Sequence, residues 1–196
     1  MSDNIPSRKE AYNLLKKYNQ TESLRKHALA VEAVMRHFAR LFKDDVEKWG
    51  IIGLVHDLDY EKYPEKHCKM TEKILRDEKW PDDYIHAVLS HGWNICTDVK
   101  PKHIMERVLY CIDELSGLIL ATALVRPSKS LEDLKPKSVM KKWNTKGFAA
   151  GANRKIIEKG AEMVGKDLKF MIKETIEGMK NVAVEIGLAT SHEEAH

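Results

Sequence analysis

Long apolar runs are missing from this chain. Nowhere in its 196 residues do 18 apolar residues stand together, and the opening MSDNIPSRKEAYN has no hydrophobic stretch of the signal-peptide kind. A membrane-spanning helix and a secretory leader are therefore not expected. Cysteine is scarce as well. Cys68, Cys96 and Cys111 are odd in number and show no CxxC spacing, so a disulfide framework is not expected and a reducing, cytoplasmic setting is. With only 10 Gly and 6 Pro, the composition is neither low-complexity nor fibrous. A net charge of +3 is too mild to suggest nucleic acid as a partner of the whole surface.

Helical periodicity is what the chain does have. Hydrophobic residues make up 43% and charged residues 32%, and no segment alternates as a half-buried strand would. The pattern predicts helices over residues 8–17, 21–42, 45–58, 69–78 and 81–91, a long one from Pro101 to Pro127, and two more over 148–164 and 166–186. Residues 127–146 read as a basic, broken segment, and the tail Ser191–His196 as frayed. The expected fold is all-α, one domain over residues 1–196. Its core lies at about residues 20–125, with a basic loop and C-terminal helices following at 126–190.

Nine histidines need individual explanations. His56-Asp57 is weak evidence alone, because neighbours on a straight helix point about 100° apart and share an ion only where the helix ends. Here the pair precedes the helix-breaking Asp59-Tyr60-Glu61. His27 interrupts the apolar stripe Leu24, Val31, Val34, Phe38, Leu41. It reads either as a core histidine bonded to a carbonyl or as a metal ligand. Asp113 lies among Val108, Leu109, Ile112 and Leu115, where a carboxylate needs either an ion pair, with Arg107 or Lys102, or a cation. One cation held by His27, His56, Asp57 and Asp113 replaces three separate coincidences. His67 and His91 read as further ligands or as core residues. His37, His103, His192 and His196 read as surface, and Cys68 as structural.

The ordered set His27, His56-Asp57, His67, His91, Asp113 carries a resemblance. It sits in LRKHALAVEAVM, GLVHDLD, HCKMTEKIL, AVLSHG and CIDELSGLI, and over residues 24 to about 120 it resembles the HD superfamily of metal-dependent phosphohydrolases. The downstream ALVRPSKSLEDLKPKSVMKKW and KGFAAGANRKII resemble a subfamily of bacterial predicted HD hydrolases. The resemblance implies a helical bundle and hydrolysis of a phosphate ester, from a nucleotide or another small phosphorylated metabolite, by metal-activated water. It implies His27, His56, Asp57 and Asp113 as ligands of one ion, and His67 and His91 as extra ligands for a second with Asp57 bridging. The absence of a GYP block disfavours cyclic dinucleotide cleavage.

A His/Asp set suits Mn, Fe, Co, Ni, Zn or, less well, Mg. Asp59 and Glu61 are candidate proton carriers beside Asp57, or else caps of the broken helix. Arg25 and Arg126 are candidate phosphate contacts, although basic side chains are more often plain surface. Gly117, one turn beyond Asp113, reads either as a close helix contact or as room for substrate. Two further readings remain on the sequence alone: a non-catalytic metal-stabilised module binding a nucleotide or protein, and a di-iron, oxygenase-like HD enzyme.

Overall fold

The computed structural model describes residues 5–189, which leaves His192 and His196 and the predicted frayed tail outside the described residues. It is all-helical: α1 (Arg8–Tyr18), α2 (Glu22–Phe42), α3 (Val46–Val55), α4 (Lys69–Asp77), α5 (Asp82–Ser90), α6 (Ile104–Leu124), α7 (Pro136–Trp143), α8 (Arg154–Val164) and α9 (Leu168–Lys180). A single 3-10 turn, Pro64–Lys66, precedes α4. Among the described residues the only bridge pairing is an isolated Trp93–Thr97 contact. None of their helices is long and apolar enough to cross a membrane.

Five of these helices begin where a side chain satisfies free N–H groups of the first turn. Ser7 and Glu10 form a capping box on α1, and Asp45, Asn153 and Asp167 cap α3, α8 and α9. His103, read above as plain surface, accepts from Met105 N and forms the capping box of α6 with Glu106. That cap, not Pro101, sets where α6 starts. The expected helix to residue 58 stops at Val55, and the expected basic loop contains α7, opened by Pro136 at its first turn.

α2 and α6 lie at the centre, with α3 packed on α2, α8 on α6 and α9 against both. Val31, Val34, Met35 and Phe38 of α2 and Val108, Ile112, Leu115 and Ile119 of α6 are fully buried. Burial of this kind contributes about 1.5–3 kcal/mol per large apolar side chain. Glu32 of α2 is buried too, and it is gripped by Arg8 of α1 at 2.6 Å and by Arg36 at 2.9 Å. Arg36 reaches on to Glu47 of α3 at 2.6 Å. This ion network locks α1, α2 and α3 into one unit, and α2 carries His27.

Two glycines set how closely the outer helices approach. A Cβ on Gly178 of α9 would lie 2.8 Å from Val34 Cα, and one on Gly160 of α8 would lie 2.5 Å from Cys111 Cβ and 2.7 Å from Cys111 Cα. The obstacle at Gly160 is the backbone of α6, two residues from Asp113. Gly160→Ala is therefore expected to destabilise the fold by about 1–3 kcal/mol through overpacking. Urea unfolding checks this. A lowered midpoint at unchanged slope is expected, and a midpoint equal to the parent's would refute the close contact.

Candidate metal centre

Five separate elements converge on one point. His27 comes from the first half of α2, His56 and Asp57 from the end of α3, His67 from the turn before α4, His91 from the end of α5, and Asp113 from α6. The end of α3 is what lets neighbours His56 and Asp57 face the same place, because the chain leaves the helix into turns at His56. His56 Nδ1 donates to Gly53 O at 2.8 Å, and His91 Nδ1 donates to Val88 O at 2.5 Å. His67 Nδ1 is 2.8 Å from Asp59 Oδ1 and donates to that carboxylate. With Nδ1 committed, each ring turns the lone pair of its Nε2 inward, the usual arrangement behind a ligating imidazole.

Two ligand groups share Asp57. In the first, Asp113 Oδ1 lies 3.0 Å from His27 Nε2 and 3.2 Å from His56 Nε2. Asp57 Oδ2 lies 3.4 Å from His56 Nε2 and 4.0 Å from His27 Nε2. In the second, Asp57 Oδ1 lies 3.5 Å from His67 Nε2 and 3.4 Å from His91 Nε2, and those two nitrogens are 3.2 Å apart. Ligands about 2.1 Å from one ion stand about 3.0 Å apart at right angles and about 4.2 Å apart when opposed, and these distances fall in that interval. Two imidazole lone pairs meeting at 3.2 Å repel unless a cation or proton lies between them. The donor set therefore fits divalent ions, one at His27, His56, Asp57 and Asp113, and one at Asp57, His67 and His91.

The electrostatics agree with this arrangement. Burial pushes the His56 pKa down, but the charges of Asp57 and Asp113 outweigh it and hold the ring well above its ordinary value. Burial pushes Asp57 and Asp113 up, but His56 chiefly, with His91 on Asp57 and His27 on Asp113, holds both carboxyls below the usual range. Asp113 pairs with His27 and His56, while Arg107, considered as its ion-pair partner, bonds to the carbonyls of Lys102 and Met163.

A cavity of about 470 Å³ opens onto this cluster. Its walls include Tyr60, Ile95, Cys96, Glu114, Gly117 and the loop residues Ala149, Gly151 and Ala152. Gly117 has open space where a Cβ would stand, so close helix packing does not explain this glycine. The loop is held over the cavity by Arg154, which donates to the carbonyls of Phe148 and Ala149 at 2.7 and 2.6 Å. Burial raises the Glu114 pKa above its usual value.

The structure gives five residues other partners than the sequence suggests. Asp59 is fully buried, and it accepts from His67 Nδ1 and, at 2.9 Å, from Thr71 N. It orients His67 and does not face the cavity. Glu61 accepts from Gln20 N at 2.6 Å and from Thr21 N at 3.1 Å, tying down the entry to α2. Arg25 donates to Asn19 O and Gln20 Oε1, and Arg126 pairs with Asp133 at 2.6 Å. Neither arginine lines the cavity, and no lysine or arginine is among its described lining residues. His37, read as surface, is 2.8 Å from Glu174 and half-buried.

Sequence reasoning also missed a contact. Cys68 Sγ and Cys96 Sγ are 2.9 Å apart at the rim of the second ligand group, and they form with His67 a third cluster of metal-ligating side chains. Nothing in the linear spacing marks the pair, because 27 residues separate the two cysteines.

Compared with known families, residues 24–118 match the model of the HD domain. No curated protein and no solved structure matches the chain.

Because Asp57 and Asp113 raise the His56 pKa well above its ordinary value, ion and proton compete for Nε2. Calorimetric titration of the metal-free protein with Mn²⁺ or Zn²⁺, in two buffers of different ionisation enthalpy, is expected to show net proton release. Affinity is expected to fall as pH drops from about 8 to about 6, where the raised ring is more fully protonated. Binding without proton release, at pH-independent affinity, would contradict the ligand assignment.

Proposed function

We propose that this chain, an HD-domain protein over residues 24–118, is a metal-dependent phosphohydrolase. Its substrate on this reading is a phosphate ester of a nucleotide or another small phosphorylated metabolite. The observation that carries the reading is the Asp57 carboxylate, whose Oδ2 faces His56 and His27 while its Oδ1 faces His67 and His91. A carboxylate shared in this way serves two neighbouring divalent ions, and Mn, Fe, Co, Ni, Zn or Mg match the donors to different degrees.

Bound divalent ions at such a site bring water's pKa toward neutrality and polarise a phosphoryl oxygen. The protein's own contribution is to fix and shape the site. Gly53 O, Val88 O and Asp59 hold three imidazoles in one tautomer and orientation. Gly117, Ala121, Gly151 and Ala152 form a small-residue wall in which the organic part of a substrate fits, and the cavity's volume of about 470 Å³ suits a small molecule. With no lysine or arginine among the described lining residues, phosphate charge is met at the metal centre itself.

Two measurements test this. A screen of phosphate monoesters and diesters with added Mn²⁺, Co²⁺, Ni²⁺ or Mg²⁺ is expected to find hydrolysis that stops on chelation and is lost in Asp57→Ala. Tight metal binding with no turnover across the screen would mark a metal-stabilised binding module instead. Oxygen consumption by a di-iron form would mark the oxygenase-like chemistry. Gly117→Leu is expected to retain metal content and folding while losing turnover at least about 100-fold, since its side chain fills the substrate wall. A Gly117→Leu variant as active as the parent would show that substrate lies elsewhere.

A further inference from the structure

The Cys68–Cys96 contact plays no part in the reading above. Cys68 is fully buried at the start of α4, while Cys96 is half-exposed and lines the cavity. Their sulfurs stand 2.9 Å apart, and an approach of about 0.9 Å would bring them to disulfide length.

The surroundings of the pair are built around the two sulfurs. A Cβ on Gly92 would lie 2.7 Å from Cys68 Sγ and closer still to Cys96 Sγ, so this position leaves room only for glycine. The loop from Gly92 to Thr97 is closed by three amides, of Ile95, Cys96 and Thr97, that all donate to Gly92 O. Cys68 has φ 66°, a backbone conformation that L residues rarely adopt. The third cysteine offers a contrast within the same molecule: Cys111 is fully buried in α6 and donates to Ile157 O.

We propose that Cys68 and Cys96 are a redox modification site, a dithiol that closes to a disulfide against the second ligand group of the metal centre. A peroxide is the class of oxidant the chemistry calls for. The partly exposed Cys96 sulfur attacks one peroxide oxygen, the O–O bond breaks, and Cys96 becomes a sulfenic acid as the other oxygen leaves as water or alcohol. The Cys68 sulfur then attacks the Cys96 sulfur, the S–S bond forms, and water leaves with the Cys68 proton. Two thiols have lost two electrons and two protons, and the peroxide has taken them up.

The bond has a consequence for the metal centre. Cys68 directly follows His67, Gly92 directly follows His91, and Cys68 Sγ lies 4.0 Å from His91 Nε2. Drawing the sulfurs together moves both imidazoles of the second group while leaving His27, His56 and Asp113 in place. This coupling rests on the two-ion reading. The disulfide itself does not.

The test uses the full chain. Thiol titration of the denatured, reduced protein gives its three cysteines. After hydrogen peroxide treatment of the metal-free native protein, the titre is expected to fall to about one, Cys111, and to return with dithiothreitol. Peptide mapping should find Cys68 joined to Cys96, and Cys96→Ser should abolish the crosslink while keeping the fold. A titre that stays at three would overturn the proposal, and so would Cys96 oxidised to sulfinic acid with no crosslink. Cobalt-loaded protein offers a second way to fail. A sulfur-to-cobalt charge-transfer band that disappears in Cys96→Ser would make the sulfurs metal ligands with His67, not a redox pair. Finally, zinc titration of the disulfide form is expected to show the second ion bound at least about tenfold more weakly than in the dithiol form, with the first unchanged. Equal affinity in both forms would overturn the coupling and leave the disulfide standing.

Discussion

Three imidazoles in this protein have their Nδ1 protons committed, two to backbone carbonyls and one to a buried carboxylate. Their Nε2 lone pairs are turned onto the same few cubic ångströms as the carboxylates of Asp57 and Asp113. Left without a cation, that arrangement sets lone pair against lone pair, as between His67 and His91 at 3.2 Å. Positive charge compensates it, and the same pull from Asp57 and Asp113 raises the His56 pKa. The helical bundle has to hold five chain segments against this local repulsion. Much of the packing makes sense as the scaffold that does so.

α2 and α6 pack together and supply His27 and Asp113, each helix held by fully buried apolar residues. The ion network of Arg8, Glu32, Arg36 and Glu47 ties α2 to α1 and α3. Gly160 lets α8 press onto the backbone of α6 beside the site. Asp59, buried and bonded to both His67 and Thr71 N, links the turn after α3 to the start of α4. The same carboxylate thus orients His67 and joins two elements. Around this centre the open wall at Gly117 and the loop pinned by Arg154 line the cavity.

The residues that come together were mostly visible in the sequence, for a physical reason. A histidine in an apolar stripe and an aspartate in a buried helix are costly, so His27 and Asp113 announced a compensating partner. The order of His56-Asp57, His67 and His91 then carried the family resemblance. Helices with strong periodicity were legible too. What was not legible depended on contacts between distant segments. Asp59 and Glu61 sit near Asp57 in the chain, but Thr71, Gln20 and Thr21 decide where their carboxylates point. Arg25 and Arg126 carry the charge a phosphate needs, but Asn19, Gln20 and Asp133 engage them first. α7 was hidden by lysines that mark its exposed face, and Cys68 and Cys96 meet only after the chain folds.

The account depends above all on Asp57 being shared. Anomalous diffraction from crystals of the chain loaded with Mn²⁺ tests that directly. It predicts two peaks, one among His27, His56, Asp57 and Asp113 and one among Asp57, His67 and His91, with an Asp57 oxygen on each. Peaks that leave Asp57 unligated, or that fall only at Cys68 and Cys96, would contradict it.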